Sequence, residues 1–283
     1  MLAYFASDRL HENARSRFSV VCILAPQRTN AIAITHKMQR ASGVGGLVSN
    51  DIIASLLATE YKRLLPKLER VTLNRGDVLY RPNQRIDAVY FLEEAVVTMI
   101  DSLRDGRTVE VGTIGREGMV GINIFLAGVV TPDRAIVLHS GGAIRMKSKD
   151  FRHELSGDTA LRHLLLAYAR AFLAVISQSV ACSQHHTLQQ RLARWLLTIS
   201  HHSGSSELQM VQQSIADMLG VRRERITEAA STFQSANLIS YSRGRISVLD
   251  GPGLGKRSCE CYRFIRRQYS RLHTDKPHQP YRK

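Results

Sequence analysis

Apolar residues first fall into a readable pattern at residues 50–65. Ile52, Ile53, Leu56, Leu57 and Tyr61 make one helical face behind Asn50 or Asp51, either of which can cap it. After Pro66 the period shortens. Residues 68–73, 78–80, 88–92, 96–100, 108–114 and 135–139 are short runs rich in β-formers. Gly76-Asp77, Pro82-Asn83, Asp105-Gly106 and Gly141-Gly142 punctuate them, which predicts an antiparallel sandwich or barrel. From Asp158 the period is helical again. Leu161, Leu165, Tyr168, Phe172, Val175, Ser179 and Cys182 alternate spacings of 4 and 3, a heptad seam expected to pack along a partner copy. A core helix inside one subunit would show the same spacing. A second helix is expected over residues 187–200, burying Leu188, Leu192, Trp195, Leu196 and Ile199, with residues 201–206 as a loop.

The most informative stretch is residues 210–249. Ile215, Ala216, Met218 and Leu219 give a short helix its apolar side. Gly220 supplies the positive φ of a tight helix–helix turn, and Val221 can plug the angle. A second helix is predicted over residues 222–236, with Ile226, Ala229, Ala230 and Phe233 buried. Arg222, Arg223, Glu224, Arg225, Thr227 and Glu228 then project near its N-terminus, where helix-turn-helix proteins place their base-reading side chains. A hairpin follows. Its Ser242-Arg243-Gly244-Arg245 turn suits phosphate, as do Gln212 and Gln213 at the start of the first helix. An ordinary helical hairpin with a solvated basic face would carry similar charges, but not the turn glycine and the basic hairpin tip in this order.

Charge sharpens this reading. The 283 residues carry a formal net charge of +15. Residues 183–283 hold 16 Lys and Arg against 7 Asp and Glu, and residues 1–48 hold 6 against 2. The middle is nearly balanced, so the excess sits where the helix-turn-helix lies, and nucleic acid is the expected partner rather than membrane. No apolar run is expected to span a bilayer.

Residues 1–48 show little periodicity and end in Gly43, Gly45 and Gly46. They are expected to be a poorly ordered extension, with Met38 an alternative start and a transit peptide a further reading. The four cysteines, Cys22, Cys182, Cys259 and Cys261, make no disulfide framework, and a reducing cytoplasm is expected. Cys259-x-Cys261 lacks the spacing of a zinc knuckle. His185-His186 and His201-His202 are expected to be solvated loop and helix histidines, with no metal and no cofactor. Gly112, Gly115, Gly118 and Gly121 recur every third residue in a turn-rich segment. Beyond Asp250, Gly251-Pro252-Gly253 is expected to break the chain before a last basic helix over residues 254–272.

A β-rich domain, a long seam helix and a winged helix-turn-helix together resemble the Crp/Fnr superfamily of bacterial transcription regulators over about residues 50–250. The resemblance is carried by Gln190-Arg191-Leu192-Ala193-Arg194-Trp195-Leu196-Leu197, by residues 215–221, by Asn237-Leu238-Ile239, and by Ser242-Arg243-Gly244-Arg245-Ile246. It implies an α+β fold: an N-terminal antiparallel β-roll of the cyclic-nucleotide-binding type, a long dimerisation helix and a C-terminal winged helix-turn-helix. The expected divisions are 1–48, 49–157, 158–182, 183–250 and 251–283. The resemblance also implies homodimers on palindromic double-stranded DNA, with RNA polymerase and an unidentified small-molecule effector as further partners.

The chain departs from the family's pattern at both sites. Arg223-Glu224 fit the recognition helix, but Arg225 stands where the family has Thr and Glu228 where it has a second Arg. Arg reads guanine O6/N7, whereas Glu can only accept, for example from cytosine N4. In the effector pocket, Gly121 is followed by Ile122 where cyclic-nucleotide binders have Glu. Arg134 is followed by Ala135 where they have Ser or Thr. Cyclic AMP is therefore not expected in the usual way. Cys22 alone cannot hold an N-terminal iron–sulfur cluster, and His139, a conceivable haem ligand of the roll, is expected to be a surface histidine. A ligand-independent architectural dimer, or an enzyme with an appended DNA-binding module, would share the C-terminal half. No nucleophile elbow, P-loop or zincin motif supports an enzyme.

Overall fold

The computed structural model describes residues 48–272 apart from 127 and 129. The expectations for residues 1–47 and for the end of the tail lie outside the described residues. The fold opens on Asn50, which is fully buried. Its carboxamide oxygen accepts from the Ile52 and Ile53 N–H groups, capping α1 (Asp51–Ala54). Its nitrogen donates to the carbonyls of Leu92, Arg116 and Gly118 at 2.8–2.9 Å. One side chain thus caps a helix and ties it to the end of β3 and to the loop of residues 115–118. The single helix expected here is two, because Leu57 is extended and starts α2 (Ala58–Leu64) afresh.

The β-roll consists of two four-stranded antiparallel sheets. One has the order β1 (Leu68–Leu73), β8 (Gly141–Lys147), β3 (Ala88–Leu92), β6 (Met119–Val120). The other has the order β2 (Val78–Tyr80), β7 (Arg134–His139), β4 (Val96–Ser102), β5 (Thr108–Ile114). Phe91, Val97, Ile114, Val137 and Ile144 fill the space between them. Strands β6 and β8 and the short α3 (Ser148–Glu154) are additions to the predicted elements. Gly141-Gly142, expected to punctuate, opens β8 instead. A Cβ at Gly141 would lie 2.4 Å from the Ala95 nitrogen, so glycine there lets β8 start against residues 94–95.

Thr159 caps α4 (Ala160–His185) through the Arg162 N–H. By length and composition α4 could cross a bilayer, contrary to the expectation that no run is long enough. One of its two apolar faces is spent within the protein. Leu161, Leu165, Tyr168, Phe172 and Val175 are buried in the core that includes the roll and the last helix, and Cys182 is buried against Cys259 and Cys261. The predicted seam is therefore filled within one subunit, and Ser179 is only half-buried. The heptad spacing could not separate the two faces of α4, because both are apolar. The face left open carries Leu166, Leu173 and Val180, 52–61% exposed and seven residues apart.

A capping box of Thr187 and Gln190 starts α5 (Leu188–Ser203), and Gly204 ends it at φ 66°. His201 and His202 thus belong to the helix rather than to a loop. Then come β9 (Glu207–Gln209), α6 (Gln212–Leu219), α7 (Arg223–Ser235), β10 (Ile239–Ser242) and β11 (Arg245–Val248), the strands forming a sheet ordered β10-β11-β9. Asp250 caps α8 (Gly251–Arg257) through the Gly253 N–H, with Pro252 in its first turn. Gly-Pro-Gly therefore begins a helix, as Pro at a helix start can. The expected last helix is interrupted at Ser258 and resumes as α9 (Cys261–Ser270), which is not a free tail: Ile265 and Tyr269 are buried among α4 and roll residues.

The C-terminal half rests on the roll. Val96, Ile100 and Leu138 share one apolar cluster with Trp195, Leu196 and Ile199 of α5. The Trp195 indole N–H donates to Glu110 of β5 at 2.9 Å. The three-residue glycine spacing has its use here. A Cβ at Gly115 would lie 2.4 Å from the His202 Cβ, and one at Gly118 would lie 2.6 Å from the Tyr168 hydroxyl. These glycines let α5 and α4 approach the roll closely.

Candidate nucleic-acid interface

α6 and α7 are joined by Gly220 at φ 65°, and the Val221 N–H bonds the Ala216 carbonyl at 3.0 Å. Val221 is half-buried on the apolar cluster, closing the angle as its position suggests. α7 buries Ile226, Ala229, Ala230 and Phe233. Arg222, Arg223, Glu224, Arg225, Thr227 and Glu228 are all exposed around its N-terminal half, with Arg222 the extended residue ahead of the first turn. The Thr227 hydroxyl donates to the Gln212 side chain at 2.9 Å and ties α7 to the start of α6. Gln213 donates to Asp217 at 2.7 Å.

The wing is built by two consecutive left-handed residues, Arg243 at φ 49° and Gly244 at φ 76°. That pair matches a type I′ hairpin turn and its strand twist. Its tip is fastened by the Met210 N–H on the Gly244 carbonyl at 2.7 Å, immediately before α6. Exposed Ser242, Arg243 and Arg245 therefore lie near Gln212 and Gln213. A guanidinium on a helix N-terminus can reach base edges bidentately, and one on a hairpin tip suits phosphate.

In the roll, the positions expected at an effector pocket are largely apolar. Gly121 takes φ 95°, and Ile122 behind it is 3% exposed in the apolar core. Ala135 is fully buried opposite Met99, and Arg134 pairs across the sheet with Ile100. The Arg134 Nε is buried without a hydrogen-bond partner among the described residues. His139 ends β7 half-buried, and desolvation pushes its imidazole below the usual range.

Two groups escape the sequence pattern. Glu117 forms a buried ion pair with His202, joining the roll to α5 beneath Tyr269. Burial alone would raise the Glu117 carboxyl; the His202 charge and hydrogen bond outweigh it and hold it below the ordinary 4.5. Neither residue has a pattern of its own, and the sequence places His202 in a loop. The second group corrects the expectation of a solvated His186, which is half-buried. Cys182, Cys259 and Cys261 are buried, and His186 reaches them. The i, i+4 spacing of Cys182 and His186 at a helix end is the available signal.

Known proteins match this architecture. The family model for a cyclic nucleotide-binding domain matches residues 70–158, and that for a Crp-like helix-turn-helix domain matches residues 190–257. The transcriptional regulatory protein btr of Bordetella pertussis is 24% identical over 216 residues, covering 68% of this chain and 83% of that protein. Among solved structures, FixK2 from Bradyrhizobium japonicum superposes with a TM-score of 0.58 at 16% identity, covering 68% of this chain and 98% of that one. A CRP-family transcriptional regulator from Thermus thermophilus gives a TM-score of 0.56 at 19% identity, covering 66% and 95%. With a cyclic nucleotide-binding-like roll, a long connecting helix and a Crp-like helix-turn-helix in this order, the chain belongs to the Crp/Fnr superfamily and is a transcription regulator of that type.

Proposed function

We infer that the chain acts as a homodimeric, sequence-specific DNA-binding regulator without enzymatic activity, working in the cytoplasm with RNA polymerase. α7 reads base edges through Arg223 and its neighbours, while Arg243 and Arg245 hold phosphate from the wing. The observation that carries this reading is the shared exposure of those two groups of arginines on elements tied together at Met210–Gly244 and Gln212–Thr227. The dimer forms through the open face of α4, Leu166, Leu173 and Val180, rather than through the buried seam. The effector is a small molecule other than cyclic AMP bound in the usual way, because Ile122 cannot accept ribose hydroxyls and Ala135 offers the cyclic phosphate no hydroxyl. The Trp195–Glu110 bond and the shared apolar cluster favour a roll coupled to the DNA-binding half over a purely architectural dimer. Selection of bound DNA from a random pool, at stated salt, tests this. The expected outcome is an inverted repeat with half-sites about 10 bp apart, centre to centre, or a multiple of that. Recovery of DNA without an enriched motif would overturn it.

A further inference from the structure

We propose that Cys182, His186, Cys259 and Cys261 form a closed tetrahedral site for one zinc-class cation, fastening the end of α4 to the α8–α9 junction. The four ligand atoms all lie within 4.8 Å of one another. The Cys182 and Cys259 sulfurs are 3.6 Å apart, and the Cys261 sulfur is 3.6 Å from the His186 Nδ1. With Zn–S near 2.3 Å and Zn–N near 2.0 Å, a tetrahedron has edges of about 3.8 Å between sulfurs and about 3.5 Å from sulfur to nitrogen. These two edges are already close to those lengths, and the remaining ones are no longer than 4.8 Å. Three thiolates and one imidazole are also a common donor set of closed, structural zinc sites.

The surroundings point the same way. The other imidazole nitrogen of His186, Nε2, lies 3.2 Å from the Glu260 carboxylate. That bond fixes the tautomer that leaves Nδ1 as a lone-pair donor towards the sulfurs, the usual outer partner of a metal-bound histidine. Gln178 donates to the Cys261 sulfur at 3.0 Å, which suits a charged thiolate. Cys261 opens α9, where the helix dipole favours a negative ligand. Three thiolates and a divalent cation leave one net negative charge, and Arg191 and Arg194 act electrostatically on these thiols. Among the described residues the three cysteines cluster with no other buried apolar side chain, so packing into a larger apolar core does not explain them.

The ligand spacing also decides what kind of group fits. An iron–sulfur cluster spreads its cysteines over several irons, whereas four donors this close suit a single ion. The site joins elements that sequence keeps apart. Cys182 and His186 close the long helix, while Cys259 and Cys261 follow the DNA-binding half. From the same region Arg191 donates to the Leu219 carbonyl at 2.6 Å, at the end of α6. A cation here would fix the hinge between α4 and the reading head.

Metal content of the purified full-length chain is the test, and it does not depend on the DNA-binding reading. One zinc per chain is expected. Cobalt replacing zinc should give thiolate-to-metal charge-transfer bands with the strong visible bands of a tetrahedral ion. Cys259→Ser and Cys261→Ser should each lose that spectrum, while Cys22→Ser keeps it. Glu260→Gln retains every ligand and should bind zinc roughly 10–100-fold more weakly against a chromophoric chelator. Removing the metal should lower the thermal midpoint, and zinc should restore it. A reduced chain that takes up neither zinc nor cobalt would overturn the proposal. So would an octahedral cobalt spectrum, a cluster carrying inorganic sulfide, or full zinc occupancy in both cysteine variants.

Discussion

Replacing Leu166 and Leu173 together by Ala should weaken the dimer without unfolding the subunit. Both side chains are more than half exposed, at 52% and 58%, so their truncation removes little from the folded monomer. Fully burying a leucine side chain is worth roughly 1.5–3 kcal/mol, so covering the exposed half gains about 1 kcal/mol. A two-fold interface repeats each position, and four truncations then remove about 4 kcal/mol. That corresponds to a roughly thousandfold rise in the dimer dissociation constant. Sedimentation velocity over a concentration series reads it, with circular dichroism as the check on folding. The opposite face should behave differently. Leu165→Asp with Phe172→Asp puts carboxylates at positions 0% and 4% exposed and should unfold the subunit. An unchanged dimer constant in the alanine variant, or a folded monomer from the aspartate variant, would refute this assignment of the two faces.

Asn50→Ala should destabilise the protein by at least about 3 kcal/mol, since it removes a helix cap and leaves three carbonyls without their donor; the urea midpoint measures it. Glu117 stabilises the fold above its unfolded value of 4.5, and that contribution is lost as pH falls through its depressed folded value. The urea midpoint of the wild type should therefore drop more steeply on acidification through that window than that of Glu117→Gln, and parallel curves would count against the pair. Calorimetry with cyclic AMP should give no micromolar binding, because Ile122 and Ala135 replace the polar pair that binding needs.

The strands expected from β-rich runs between turn residues and the helix-turn-helix expected from Gly220 are legible because each depends on local rules. The phases of α4 are not. Leu161 and Leu166 are both apolar, and only the roll and α9, joined from distant parts of the chain, decide which face is covered. α9 itself looks like a basic tail in sequence because Arg263, Arg266 and Arg267 surround the Ile265 that it buries. The cysteine–histidine cluster is hidden for the same reason, since its halves are more than seventy residues apart. The recognition helix and wing are visible as charge on a familiar frame, with their residue roles resting on where those charges point.

Those roles are tested most directly by binding Arg223→Ala and Arg243→Ala to a library of single-base variants of the selected DNA, at two salt concentrations. Arg223→Ala should cost about 1–3 kcal/mol for each bidentate base pairing it removes and relax preference at one position in each half-site. Arg243→Ala should weaken all sequences alike and lower the salt slope by about one unit for each phosphate it no longer neutralises. If both give the same uniform loss with base preference unchanged, α7 is not the reader.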